Sequence, residues 1–238
     1  MNQETVMKAS LRKFDTAAEL NPIFAKEIAD KLQQGIELNG RASLLVSGGN
    51  TPRPMFALLS EQNIDWASVD IALVDDRWVP TDDAASNEKM VNEALLINAA
   101  SKANFVGMKT EQTDAFAAVA EVTTKLAHLA QPFDVVILGM GEDGHTASIF
   151  PCCEQLDEAL TTEAPLMATQ PSTAPHQRMT FTKRALLNSK QLYLHLVGES
   201  KEQVLNDVAL GEDERSKPIR AFLNQSDVPM SVMLATSK

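Results

Sequence analysis

The chain has 238 residues, 44% of them hydrophobic and 22% charged, which suffices for the core of one large α/β domain. A formal net charge of -11 argues against nucleic acid and anionic membranes as partners, and it requires a local cluster of Arg and Lys wherever an anion binds. The only two cysteines, Cys152 and Cys153, are adjacent, so a disulfide framework is excluded and a reducing compartment is expected.

The N-terminal MNQETVMKAS has no apolar signal region and no apolar run reaches membrane-spanning length, so a cytoplasmic protein is expected. Residues 15 to 36 read as an amphipathic helix, with Phe24, Ile28 and Leu32 on one face and Asp15 as its cap. A strand from Ala42 to Ser47 follows and runs into Gly48-Gly49-Asn50-Thr51-Pro52. Thr51 suits an N-cap and Pro52 a first helical residue. A strand that passes through a glycine turn into a helix N-terminus presents free N–H groups and a favourable dipole, which suits phosphate. The G-K-[ST] ending of a Walker loop is missing.

A second strand, Asp70 to Val74, ends in Asp75-Asp76-Arg77-Trp78. Ser86 caps a helix through Met90, Val91, Ala94 and Leu95. Another helix follows Thr113, with Phe116, Val119, Val122, Leu126 and Leu129 on one face. The apolar run Val135 to Leu138 is a buried strand that ends in a polar loop, GMGEDGHTASIFP. From Pro151 to about Gln177 the proline spacing predicts a helical turn and a long loop over the site. Strands are expected at Arg178 to Thr182, Leu192 to Val197 and Val232 to Ala235. A helix opens at Gly198-Glu199-Ser200-Lys201, and residues 211–218 form a charged surface loop. Strands alternating with helices give a doubly wound, mostly parallel sheet flanked by helices, as one domain.

Gly139, Gly141 and Gly144 spell the dinucleotide fingerprint G-x-G-x-x-G. That reading is rejected. Glu142 and Asp143 would repel a pyrophosphate, Pro151 limits any helix here, and the fingerprint belongs to a first βα turn. Of four histidines, His128 reads as a surface residue, His176 as an exposed loop residue and His195 as a packed strand residue. His145 stands apart, in a glycine-flanked loop at a strand's carboxyl end, two residues from Asp143. No H-x-H, H-E-x-x-H or C-x-x-C spacing supports a metal, and no G-x-S-x-G turn supports a serine nucleophile. One imidazole, nearby carboxylates and a phosphate cradle suit proton transfer or water activation on a phosphorylated small molecule.

Four segments together resemble the bacterial 6-phosphogluconolactonase family, which shares its fold with glucosamine-6-phosphate deaminase. They are Ser47 to Pro52, Asp75 to Pro80 with Ser86-Asn87, Gly139 to Pro151, and Arg178-Met179-Thr180 with Gly198 to Lys201. The resemblance implies hydrolysis of a sugar-phosphate lactone in the oxidative pentose phosphate route, without a cofactor; a monomer is the expected state. By position it makes His145 the water-activating base, with Asp143 and Asp75 lining the site and either one able to orient the imidazole. Backbone N–H groups of Gly48, Gly49, Asn50 and Thr51, beside Ser47, would hold the phosphate. Arg178 and Lys201 would supply charge, and Arg77 would face the substrate. Two departures are small: Asp76 replaces a glutamate and Asn50 a serine. The deaminase pattern resembles DGHIAFNEP, with a glutamate where this chain has Phe150. The lactonase is therefore expected over the deaminase; a non-catalytic sugar-phosphate sensor is the alternative from another class.

Overall fold

The computed structural model describes residues 7–238. Strand β1 (Ser10–Thr16) runs directly into helix α1 (Ala17–Asn39). Thr16, not the expected Asp15, caps α1: its hydroxyl accepts from the Glu19 N–H at 3.2 Å. Gly40 ends the helix at φ +75, with its N–H on Ile36 O. Then follow β2 (Ala42–Val46), α2 (Arg53–Ser60), β3 (Val69–Leu73), β4 (Asp75–Arg77) and α3 (Asn87–Ala94). The middle of the chain holds β5 (Asn104–Val106), α4 (Ala115–Leu126), β6 (Val135–Leu138), α5 (Leu156–Thr161) and β7 (Leu166–Thr169). The last third holds β8 (Arg178–Phe181), α6 (Lys183–Leu187), β9 (Leu192–Val197), α7 (Glu199–Val208), α8 (Arg220–Leu223) and β10 (Met230–Ser237).

Seven strands form a parallel sheet in the order β1-β10-β9-β6-β2-β3-β5. The residues of β2, β3 and β6 are all buried, which is why they read as mostly apolar runs rather than alternating ones; the buried exceptions, Ser43 and Asp70, are paired with Asp134 and Arg41. From β2 the chain winds outward through β3 and β5; from β6 it winds the other way through β9 and β10. The order therefore reverses between β2 and β6, and a crevice opens at their carboxyl ends. The two ends are stitched together: Ser47 Oγ donates to Ile137 O at 2.9 Å and accepts from the Gly139 N–H at 3.1 Å.

A second, antiparallel sheet of order β4-β8-β7 stands over this crevice. It changes several expectations. Asp75-Asp76-Arg77 is not a strand-end loop but a strand paired with β8, and β8 lies outside the parallel sheet. After Pro151 the expected helical turn is α5, but the expected long loop is interrupted by β7, which leaves two shorter stretches, 162–165 and 170–177. No helix follows Gly139; the chain makes successive tight turns to Pro151. Helix α2 begins at Arg53 with Pro52 in the cap position and no side-chain cap, so Thr51 does not cap it. Helix α4 is capped by Asp114 and buries Ala115, Ala118, Val122 and Leu126, whereas Phe116 is exposed. The small alanines let α4 pack closely on β7, which turns Phe116 outward. No helix among the described residues is long and apolar enough to cross a membrane.

Candidate active site

A cleft of about 220 Å³ lies at the topological reversal. Its walls come from the β2–α2 turn, the β6 loop, β4, β8, Asn87 at the start of α3, the carboxyl half of β9 with His195, and the first turn of α7. His145, Asp75, Ser47, Gly48, Thr51, Arg77, Arg178 and Lys201 all line it. Gly49 and Asn50 are exposed on the same turn and do not line the cleft. Asp143 stands behind His145.

His145 is held on three sides. Its Nδ1 lies 2.5 Å from Asp143 Oδ1, and its backbone N–H donates to the same oxygen at 3.1 Å. Its ring stacks on Phe150, with centroids 3.8 Å apart and planes at 22°. A Cβ on Gly141 would overlap the imidazole, so this close approach requires glycine. Burial alone raises the Asp143 carboxyl, but the hydrogen bonds and charge of His145 outweigh it and hold Asp143 below the ordinary carboxylate range. An ionised Asp143 on Nδ1 fixes the proton there and leaves Nε2 with its lone pair. Of the two carboxylates able to orient His145, the geometry selects Asp143. Asp75 is engaged elsewhere: Oδ2 accepts from the buried Ser148 hydroxyl at 2.6 Å.

The cationic wall comes from the second sheet. Arg77 and Arg178 sit directly opposite each other in the β4–β8 pair, an arrangement that costs energy unless an anion stands between or beside them. Arg77 Nη1 donates to Asn87 Oδ1 at 2.6 Å and to Ala85 O at 3.1 Å. Asn87 Nδ2 donates to Asp75 O at 2.9 Å, and a Cβ on Gly48 would overlap the Asn87 amide. Arg178 is buried, with Nη2 on Pro175 O at 3.2 Å, its guanidinium 5.4 Å above the Phe150 ring and Nε without a partner. Burial lowers its pKa, and Asp75 partly restores it. Asp76 points away and caps α3: it accepts from the N–H groups of Asn87 (2.7 Å) and Glu88 (3.2 Å). Burial pushes its carboxyl up to about 7 against those donors.

Across the cleft, no described residue accepts a hydrogen bond from the N–H of Gly48, Gly49, Asn50 or Thr51. Such a run of free N–H groups forms an anion-binding concavity. Lys201 reaches over from α7, with Nζ 3.0 Å from Met140 O and 2.6 Å from Glu142 Oε1. The remaining histidines lie as expected: His128 and His176 are exposed, and His195 is buried against Phe24. The sequence reading missed Asn87 and Ser148 as site residues. Asn87 stood within a recognised segment without a role, and nothing local marks Ser148, whose partner is 73 residues away.

Known proteins place this arrangement. The family model for glucosamine-6-phosphate isomerases/6-phosphogluconolactonase matches residues 15–230. A 6-phosphogluconolactonase from Neisseria meningitidis is 41% identical over 94% of this chain and 97% of its own length. One from Rhizobium meliloti is 38% identical over 96% of this chain and its entire length. The crystal structure of a 6-phosphogluconolactonase from Shewanella baltica superposes with a TM-score of 0.96 at 46% identity, covering 98% of this chain and 100% of that one. The chain thus belongs to the glucosamine-6-phosphate isomerase/6-phosphogluconolactonase family.

Proposed function

We propose that the chain hydrolyses 6-phospho-D-glucono-1,5-lactone to 6-phospho-D-gluconate by metal-free water attack, as a single-domain monomer of the cytoplasm. The carrying observation is the Asp143–His145 pair at the wall of a cleft that also gathers three cations in an acidic chain. Every group needed comes from one chain, which supports the monomer. The free thiols Cys152 and Cys153 support a reducing compartment.

In this mechanism Nε2 of His145 takes a proton from a water set against the lactone carbonyl, while Asp143 holds the tautomer and stabilises the imidazolium. Attack produces a tetrahedral oxyanion. Within the β6 loop the N–H groups of Gly139, Gly141, Gly144 and His145 are already engaged, which leaves Arg77 and the free Met140 N–H, both on cleft-lining residues, to stabilise the oxyanion. Collapse breaks the bond to the ring oxygen, and the imidazolium returns the proton to it. Of the turn's free N–H groups, those of Gly48 and Thr51, which line the cleft, hold the 6-phosphate, with charge from Arg178 and Lys201. Asp75, fixed by Ser148, balances the two guanidiniums. Anchoring the phosphate fixes the carbonyl against His145, and positioning of this kind supplies several kcal/mol.

Phe150 separates this reaction from deamination. It stands where the deaminase pattern has glutamate, it cannot relay a proton, and it is committed to stacking on His145. The test supplies 6-phosphogluconolactone, generated in situ, and separately glucosamine 6-phosphate. Lactone loss above the spontaneous rate, with no ammonia from the amino sugar, supports the assignment. Ammonia release, or lactone loss at the spontaneous rate only, contradicts it.

A further inference from the structure

The His145 loop is braced from behind by a segment that the sequence presents as a solvated charged loop. Gly144 stands at φ +81, and a Cβ there would lie 2.5 Å from Lys217 Cδ and 3.3 Å from Lys217 Cα. The Ile219 N–H donates to Gly144 O at 3.0 Å. Gly144 N–H in turn reaches Gly141 O at 3.1 Å, and Gly141 N–H reaches His145 O at 2.9 Å. Backbone contacts therefore run unbroken from Ile219 to His145.

The other side of this segment is fixed to α7. Arg220 is 8% exposed. Its guanidinium donates to Val208 O (3.0 Å), Asp207 O (3.3 Å), Asp213 O (3.2 Å) and Ser216 Oγ (2.9 Å). Asp207 and Val208 are the last residues of α7, and beyond the long backbone bonds from Leu210 (3.4 Å) and Gly211 (3.3 Å) their carbonyls have lone pairs left for the guanidinium. Gly211 makes room, since a Cβ there would overlap the guanidinium. Lys217 Nζ lies 3.6 Å from Asp207 Oδ2. At its first turn α7 carries Lys201, which grips the front of the His145 loop through Met140 O. The loop is thus held between Lys201 and Lys217, and Arg220 sets the distance between them.

We propose that Lys217 and Arg220 are positioning residues for lactone hydrolysis. Arg220 fixes the 207–219 segment to α7, and the methylene stem of Lys217, laid over Gly144, sets where His145 sits in the cleft. This rests on His145 being the base. The stem matters rather than the charge, because Cα, Cβ and Cδ are the Lys217 atoms that fill the space where a side chain on Gly144 would begin.

The test compares Lys217→Ala, Lys217→Met and Arg220→Lys with the wild type by lactone kinetics and by amide exchange of the peptide 139–149. A base displaced by less than 1 Å predicts a loss of roughly tenfold in kcat for Lys217→Ala with KM nearly unchanged. Exchange in the loop should speed up while β9 stays protected. Lys217→Met keeps the stem and should recover both kcat and protection. Arg220→Lys cannot span four acceptors and should lose kcat as Lys217→Ala does; unchanged kcat removes Arg220 from the brace. Unchanged kcat in Lys217→Ala overturns the role of the stem whatever the exchange shows. Equal losses in the Ala and Met variants also overturn it, by assigning the effect to the Asp207 ion pair. A wild type inactive on the lactone sinks the functional reading itself, whereas an active wild type with an unaffected Lys217→Ala sinks only the positioning role.

Discussion

Both ends of the Asn87 amide are in use, and each end has only one acceptable chemistry. Oδ1 must accept from Arg77 and Nδ2 must donate to the Asp75 carbonyl. Alanine at this position would leave that carbonyl buried without a partner and Arg77 with only the longer bond to Ala85 O. The expected cost is about 1–3 kcal/mol of stability in urea unfolding, together with a fall in kcat/KM. Aspartate has nearly the same shape but sets an acceptor against the Asp75 carbonyl and a third carboxylate beside Asp75 and Asp76. Asn87→Asp should therefore be no more stable than Asn87→Ala. Wild-type stability in the aspartate variant would show that the amide polarity is not what holds this corner.

At the scale of the element, β9 carries an anomaly. His195 sits between Leu194 and Leu196 with 4% exposure, and neither ring nitrogen has a hydrogen-bond partner. Phe24 packs its ring against it at 5.2 Å. Burial pushes the imidazole down to about 4, so the folded protein holds it neutral. The folded pKa is below the unfolded one, so the unfolded chain takes the proton first as pH falls. Stability is complete above about pH 6.5 and is lost between there and about pH 4, at no more than about 1.4 kcal/mol per pH unit. His195→Phe removes the titration and keeps an aromatic against Phe24. Its urea midpoint should fall less steeply than that of the wild type across this window. Parallel curves for the two proteins would mean that other groups carry the acid sensitivity.

In the whole molecule, what the sequence made legible follows burial and contiguity. Central strands β2, β6 and β9 are buried almost throughout, so their apolar runs stood out. Strand β1 alternates between exposed and half-buried residues at the sheet edge, and β5 has three residues, so neither rose above its surroundings. Strand β7 lay hidden between Pro165 and Pro171. Strand β10 runs from Met230 to Ser237 rather than over four residues because it is paired on both sides, by β1 and β9. His145 and Asp143 were legible because they share one loop, and the phosphate turn because its glycines precede a helix. Asn87, Ser148, Lys217 and Arg220 act through partners brought near by the fold, and local spacing carries no trace of such contacts.

The central claim is that Asp143 and His145 activate water on a lactone anchored by its phosphate. The most direct measurement is kcat for 6-phosphogluconolactone, with the spontaneous rate subtracted, in the wild type and in His145→Ala. The wild type should accelerate opening. The variant should lose on the order of 10²-fold or more in kcat, with KM little changed and its unfolding midpoint near that of the wild type. A folded His145→Ala variant that retains full kcat would contradict the assignment of the base.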